Sequence, residues 1–112
     1  MKKLTIYCLT MNPEHLKLIE KLNYIPVGLG KKKFPDSFLG DKSGINISEK
    51  NSYYGEYTFH YWIWKNYINK IDSEWLGFCQ YRKFFTTKEI HQTEISFNEL
   101  NKNLFKEISD KD

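Results

Sequence analysis

Two cations stand at the end of an apolar run, where they could bind an anion. Arg82 and Lys83 follow Tyr81, the last residue of the β-rich stretch Trp75–Tyr81. In open α/β sheets, ligands bind outside the carboxyl ends of the strands, and guanidinium and ammonium groups form charge-assisted hydrogen bonds with phosphate oxygens. The pattern therefore predicts an anion site at this strand end. The alternative is a solvated strand end with a surface salt bridge, which contributes little to stability.

A second set of polar residues surrounds a segment that is unusually rich in aromatic rings. Eight of the fifteen residues from Tyr53 to Tyr67 are Phe, Trp or Tyr, so rings occur on almost every face of the helix predicted for residues 53–69. Lys50 and Asn51 precede this helix, where they could bind an anion together with its free amides or simply cap it. Glu56, the only carboxylate in the helix, either gains from the helix dipole or recognises ligand hydroxyl groups.

The two tryptophans of this helix are expected to point in different directions. Trp62 and Trp64 are separated by about 200° around the axis, at about 100° per residue. One is therefore expected in the core, while the other could stack on a ligand or partner. The predicted core stripe consists of Tyr57, Tyr61, Trp64 and Ile68, which leaves Trp62 as the candidate for stacking. His60 is expected to pack among the rings rather than to act as a base.

Signatures of a metal site and of a dinucleotide site are missing from the predicted strand ends. No Asp-x-Asp pair of metal ligands stands at a strand end, so a divalent metal (Mg²⁺ or Mn²⁺) would need ligands from a part outside this chain. No G-x-G-x-x-G fingerprint follows the first strand, which disfavours a dinucleotide cofactor. Thr10, at the end of that strand, is where a Rossmann-like fold first meets a nucleotide. The run Lys31–Lys33 is typical of a solvated loop, but would attract phosphate if it folded over a ligand.

The elements that must position these residues alternate along the chain. Apolar runs predict strands over Leu4–Thr10, Tyr24–Leu29 and Trp75–Tyr81, and Pro26 should push the second strand to a sheet edge. Helices are predicted after the Asn12 cap with Pro13 at the first position, over residues 53–69, and over residues 97–108. This order predicts an α/β, Rossmann-like fold with a mostly parallel sheet flanked by helices. Because three strands are few for such a sheet, we expect an incomplete or truncated version.

Length and composition limit the class of protein. The 112 residues carry a net charge of +3, which suits one domain and is too small an excess to predict a nucleic-acid partner. No run approaches the about 20 apolar residues of a membrane span, and the apolar run after the first lysines is too short for a signal peptide. We therefore expect a cytoplasmic protein. Cys8 and Cys79 lie in predicted buried strands and are expected to pack as small hydrophobes.

Several motifs in one order resemble a known family. They are YIPVGLG, G-x-N-I-S-E-K-N-x-x-Y, E-Y-T-x-x-Y-W-x-W-K-N and C-x-Y-R-K-F-F. Together they resemble glycosyltransferase-like proteins of capsular and exopolysaccharide biosynthesis, a family first catalogued as a domain of unknown function. The resemblance covers Leu4–Phe85. The chain departs from the family pattern at Met11-Asn12 (His-Lys in the family), at Ser52 (Pro), at Gln80 (His) and at Lys83 (Arg).

The resemblance implies a GT-A-like fold, a nucleotide-sugar donor and a saccharide or lipid-linked acceptor. It places the donor-side part of the domain at residues 1–87 and a divergent polar helix and tail at residues 88–112. For such a donor, the residues predicted to bind the diphosphate are Tyr81, Arg82 and Lys83. Those predicted to bind the nucleotide or sugar are Thr10, Lys50, Asn51, Glu56 and Trp62. The resemblance implies a hexosyltransferase-like enzyme if the chain is active, with catalysis requiring a further segment, and it names no catalytic residue. Association with the inner face of the membrane stays open.

Two other functions remain compatible with these residues. The first is a non-catalytic remnant or interaction module of the same fold. The second is a module that binds glycans or single-stranded nucleic acid through stacked rings and lysines. Aromatic residues spaced along a helix are usually core residues, which disfavours the second.

Overall fold

Four parallel strands form the centre of the structure, a computed structural model that describes residues 2–85. The strands are β1 (Lys2–Thr10), β2 (Ile25–Gly28), β3 (Leu39–Gly40) and β4 (Ser73–Gln80). Their order across the sheet is β3-β2-β1-β4, and every neighbouring pair is parallel. This confirms the predicted α/β fold with a parallel sheet. The helix predicted for residues 97–108 and the tail predicted for residues 88–112 lie outside the described residues.

β1 is the central strand, and it is buried on both faces. Its residues from Thr5 to Thr10 are all buried, as a continuous β-rich run predicts for a strand of a parallel sheet. Alternate side chains point to opposite faces. On one face Ile6 and Cys8 pack with residues of helix α1 (Leu16–Lys21) and the turn after it; on the other, Tyr7 and Leu9 pack with residues of β2 and of the ring-rich segment.

The outer strands differ from the sequence-based expectation. β2 is not an edge strand, because β3 pairs with Val27 and Gly28. Pro26 is nevertheless tolerated, since β3 does not extend to it. β3 lies between the second predicted strand and the helix predicted for residues 53–69, where no strand was predicted, because two residues are too few to show a periodic pattern. β4 is less buried than predicted: the Trp75 side chain is 51% exposed.

The ring-rich segment forms two helices rather than the single helix predicted for residues 53–69. They are α2 (Asn51–Tyr54) and α3 (Tyr57–Asn66), followed by a 3₁₀ turn at Ile68–Lys70. Between them, Gly55 has φ +56° and ψ −128° and donates its N–H to the carbonyl of Asn51 at 2.7 Å. Residues with side chains rarely adopt this backbone conformation, so Gly55 ends the first helix and redirects the chain.

Replacing Gly55 with alanine is expected to lower the free energy of unfolding by about 1–3 kcal/mol. Apart from Gly55 and its two chain neighbours, no described residue has an atom within 4 Å of the position that a Cβ would take, so the loss would come from backbone strain alone. Urea denaturation measures it. Gly40→Ala is the matched control, because its Cβ would meet only the Gly28 carbonyl oxygen at 3.7 Å and its φ is not in the left-handed region. Equal losses for both variants would contradict the assignment of strain to Gly55.

The buried face of α3 is not the predicted one. Its buried residues are Thr58, Phe59, Trp62 and Ile63. Of the predicted core stripe, Tyr57 is 65% exposed, Trp64 61% and Ile68 41%, so the prediction was wrong. Because rings occur on every face of this helix, the sequence pattern could not select the face that packs on β1.

Candidate functional site

The main cleft opens at the carboxyl ends of β1, β2 and β4. Its volume is about 1130 Å³, and Thr10, Leu29, Gly30, Gln80 and Tyr81 line it at the strand ends. The chain continues from β1 to β2 and β3 on one side and then crosses to β4 on the other side of β1. The cleft therefore lies at the topological switch point, where doubly wound α/β proteins bind ligands.

The end of β1 is joined to the end of β4 through a histidine. Asn12 caps the 3₁₀ turn Pro13–His15 by accepting a hydrogen bond from the Glu14 N–H at 3.1 Å, as the sequence predicted for the cap. The turn brings His15 back over the strand end, where its Nδ1 lies 2.6 Å from Thr10 Oγ1. The His15 ring stacks on Tyr81 with centroids 3.6 Å apart and an interplanar angle of 10°.

His15 is therefore a residue of the cleft that sequence reasoning missed. The Asn12-Pro13 helix start was the available indication, because a capped turn directly after a strand folds the following residues over the strand end.

At the β4 side of the cleft, Glu56 is held by Gln80. The Gln80 Nε2 donates a hydrogen bond to Glu56 Oε2 at 2.6 Å, and both residues line the cleft. Glu56 occupies the N-cap position of α3 without forming a side-chain cap. Its carboxyl group is therefore directed to the strand end rather than to the helix amides, so Oε1 can accept a hydrogen bond from a ligand.

Three lysines line the cleft beside the ends of β2 and β3. They are Lys31 and Lys32, in the loop after β2, and Lys42, two residues after β3. Lys33 completes the lysine run but does not line the cleft. Since Gln80 and Glu56 are at the β4 side, these three lysines and the Glu56 carboxylate lie toward different ends of the same cleft.

The structure brings together half of the residues predicted for the site. Thr10, Asn51, Glu56 and Tyr81 line the main cleft. Lys83 lines a second cavity of about 360 Å³ instead, and the exposed Arg82 and Lys50 line neither of these two cavities. The diphosphate assignment of Arg82 and Lys83 therefore gains no support from their positions.

Trp62, predicted as a stacking residue, lies in the core. Its side chain is 5% exposed, and its indole N–H donates to the carbonyl and to the hydroxyl oxygen of Ser43, each at 3.0 Å. A buried tryptophan whose N–H has a partner is a packing residue, and its ring face is not offered to the cleft.

The described groups with shifted pKa values lie in the sheet interior rather than at the cleft. Cys8 and Cys79 are register partners on β1 and β4, and both are free thiols. A hydrogen bond between the thiols lowers the pKa of Cys8 and raises the pKa of Cys79. Burial raises the pKa of Cys79 further. Burial raises the pKa of Tyr7 to about 12. None of these residues lines the main cleft.

Within residues 2–85, no group of three or more His, Cys, Asp and Glu side chains is arranged to hold a metal ion. These residues therefore offer no set that fits a divalent metal, and we derive no step through one. No helix in the same part of the chain has the length and apolarity that crossing a bilayer requires.

Comparison with known proteins places this fold among those of glycosyltransferases. A solved structure of the bifunctional glycosyltransferase WbbM, in its apo form, resembles the chain with a TM-score of 0.58 and 28% sequence identity. The similarity covers 83% of this chain and 16% of WbbM, so the chain corresponds to a small part of that protein.

The sequence matches the family model of a domain of unknown function, DUF4422, over residues 5–112, and the chain belongs to this family. The match extends beyond Phe85, where the resemblance seen in the motifs ended. No curated protein matches the sequence.

Proposed function

We propose that this chain is the donor-binding part of a glycosyltransferase of bacterial surface polysaccharide biosynthesis, and that a nucleotide sugar binds in the main cleft. The observation that carries the proposal is one cleft, at the switch point of a parallel sheet, that combines three lysines with oxygens able to accept hydrogen bonds from hydroxyl groups. Its volume of about 1130 Å³ compares with the about 300–1,000 Å³ of typical ligand pockets. Similarity to a solved glycosyltransferase and the motif resemblance to capsule and exopolysaccharide proteins support the same class.

The lysines are the proposed diphosphate-binding groups. A departing nucleoside diphosphate develops negative charge, which preorganised cations stabilise in the transition state. Lys31, Lys32 and Lys42 line the cleft and can form charge-assisted hydrogen bonds with phosphate oxygens. In this proposal they take the role that the sequence pattern suggested for Arg82 and Lys83.

Residues of the cleft other than the lysines are proposed to bind the sugar and nucleoside. Glu56, held by Gln80 at 2.6 Å, and Asn51 offer oxygens to ligand hydroxyl groups. Tyr81 and His15 form a stacked pair at the strand ends, and Thr10 anchors that pair from β1 through His15 Nδ1.

The acceptor in this proposal is a saccharide, free or lipid-linked. The reaction is hexosyl transfer in the cytoplasm. If the acceptor is lipid-linked, transfer takes place at the inner face of the membrane. Residues 2–85 provide the donor site. No base that would activate an acceptor hydroxyl is assigned to them.

Thermal melting with a panel of nucleotide sugars tests the proposal. UDP-glucose, UDP-galactose or GDP-mannose is expected to raise the melting temperature, because a ligand that binds only the folded state stabilises it by about 2.7 kcal/mol at 100 times its Kd. Free glucose and inorganic phosphate are the controls. No shift with any nucleotide sugar, or equal shifts with phosphate alone, would contradict nucleotide-sugar binding.

A donor-binding module without transfer activity is the second candidate. It is favoured because the cleft supplies groups for a donor, whereas no base for an acceptor hydroxyl is assigned to residues 2–85. Donor binding without hydrolysis of the nucleotide sugar, and without transfer to an added saccharide, would assign the chain to this class.

A further inference from the structure

A buried carboxyl group lies behind the cleft without a role in the site described so far. Asp41 directly follows β3 and is 1% exposed. Its Oδ2 accepts a hydrogen bond from Thr58 Oγ1 at 2.5 Å, whereas Oδ1 has no hydrogen-bond partner among the described residues. An incompletely paired buried polar group is costly, and its presence in a core calls for an explanation.

Thr58 connects this carboxyl group to a residue of the cleft. The side chain of Thr58 is fully buried in α3, and its hydroxyl has a single hydrogen. Asp41 Oδ2, at 2.5 Å, is a nearer acceptor for that hydrogen than the Gly55 carbonyl oxygen at 3.1 Å. The oxygen of the same hydroxyl then accepts a hydrogen bond from Asn51 Nδ2 at 3.2 Å.

The orientation of the Asn51 amide follows from these contacts. Its Nδ2 also donates to the Gly55 carbonyl oxygen at 3.0 Å. Because a carbonyl oxygen can only accept, the nitrogen and not the oxygen of the amide must face it. Both amide hydrogens are thereby directed to the protein, and the group that Asn51 can offer to the cleft is Oδ1.

We infer that Asp41 and Thr58 are positioning residues, which hold Asn51 so that its Oδ1 accepts a hydrogen bond from a hydroxyl group of the nucleotide sugar. This inference rests on the proposed function. An asparagine free to rotate could present either a donor or an acceptor, whereas the Gly55 carbonyl oxygen and the Asp41–Thr58 pair together leave only the acceptor. The hydroxyl belongs either to the transferred sugar or to the ribose, and the chemistry at Asn51 is the same for both.

Thr58→Val tests the inference, because it removes the hydroxyl and keeps the shape of the side chain. It is expected to weaken binding of the best nucleotide sugar of the panel about fivefold, the loss of one neutral hydrogen bond, when the Kd is measured by isothermal titration calorimetry. Thr58→Ser keeps the hydroxyl and is expected to restore binding to within about twofold. Rescue by serine separates positioning from a loss of the fold, which melting temperatures monitor.

Double variants separate an effect through Asn51 from a general loss of structure. Asn51→Ala combined with Thr58→Val should bind no more weakly than Asn51→Ala alone, because both changes remove the same contact. If Thr58→Val does not fold, Asp41→Ala combined with Thr58→Val replaces it. That variant leaves no unpaired polar group buried and should show the same fivefold loss.

The outcomes separate this inference from the proposed function. If Thr58→Val weakens the nucleotide sugar but not UDP or GDP, the hydroxyl is that of the transferred sugar; equal weakening of both assigns the ribose. Unchanged affinity in Thr58→Val, or additive losses with Asn51→Ala, would overturn the inference and leave the proposed function standing. A wild-type chain that binds no member of the panel would overturn both.

Discussion

Reversing the charges of Lys31 and Lys32 is expected to weaken nucleotide-sugar binding at least about 100-fold. Hydrogen bonds to charged groups contribute about 1.5–3 kcal/mol each, and about 1.4 kcal/mol corresponds to a factor of ten in Kd. Both side chains line the cleft at the end of β2, so Lys31→Glu with Lys32→Glu would remove two phosphate contacts and add repulsion. Isothermal titration calorimetry at fixed ionic strength measures the effect, because salt screens such interactions.

The control must change the net charge equally without touching the cleft. Lys33→Glu combined with Lys70→Glu does so, since both residues are exposed and line neither described cavity. This control should bind within about twofold of the wild type. Arg82→Glu should also bind normally. A large loss in Arg82→Glu with little change in the Lys31 and Lys32 variant would return the diphosphate to the end of β4.

Phe59→Ala is expected to lower the free energy of unfolding by about 3–5 kcal/mol. The Phe59 ring is fully buried, with ring centroids 5.6 Å from Tyr7, 5.9 Å from Trp62 and 6.2 Å from Phe78. Alanine would leave a cavity between α3 and the sheet. Urea denaturation measures the loss. Because a domain of this size has about 5–15 kcal/mol in total, Phe59→Leu provides a smaller step if the alanine variant is largely unfolded.

Trp64→Ala is the matched control on the opposite face of the same helix. Trp64 belongs to the predicted core stripe but is 61% exposed, and its ring contacts Tyr61 and the Lys65 ammonium. Its replacement should cost less than about 1 kcal/mol. A larger loss for Trp64→Ala than for Phe59→Ala would show that the sequence-based choice of face was right.

Local chemistry made parts of this protein predictable. The run Leu4–Thr10 predicted a strand buried on both faces because only a central parallel strand hides consecutive apolar side chains. Asn12 and Pro13 predicted a capped turn because the unpaired backbone N–H groups of a first turn are satisfied by a side chain only one to three residues away. The strand ends also predicted Thr10 and Tyr81 at the cleft, since parallel strands present their carboxyl ends at one edge.

The position of the cations could not be predicted from the sequence. The lysine run resembled a solvated loop, and Arg82 appeared better placed because it directly follows a strand. Whether a loop after β2 lies beside the switch point depends on how it packs, which no local pattern records. The same holds for β3, whose two residues pair with a strand more than ten residues earlier in the chain.

Sequence alone thus determined the α/β class, the central strand, the capped turn and the edge of the sheet that carries the cleft, because each rests on contacts or preferences within a few neighbouring residues. Only the tertiary structure decided which face of α3 is buried, that Lys31 and Lys32 line the cleft while Arg82 does not, and that Thr58 joins Asp41 to Asn51 by hydrogen bonds. Those outcomes depend on residues far apart in the chain, and a helix with rings on every side leaves the choice to the surface against which it packs.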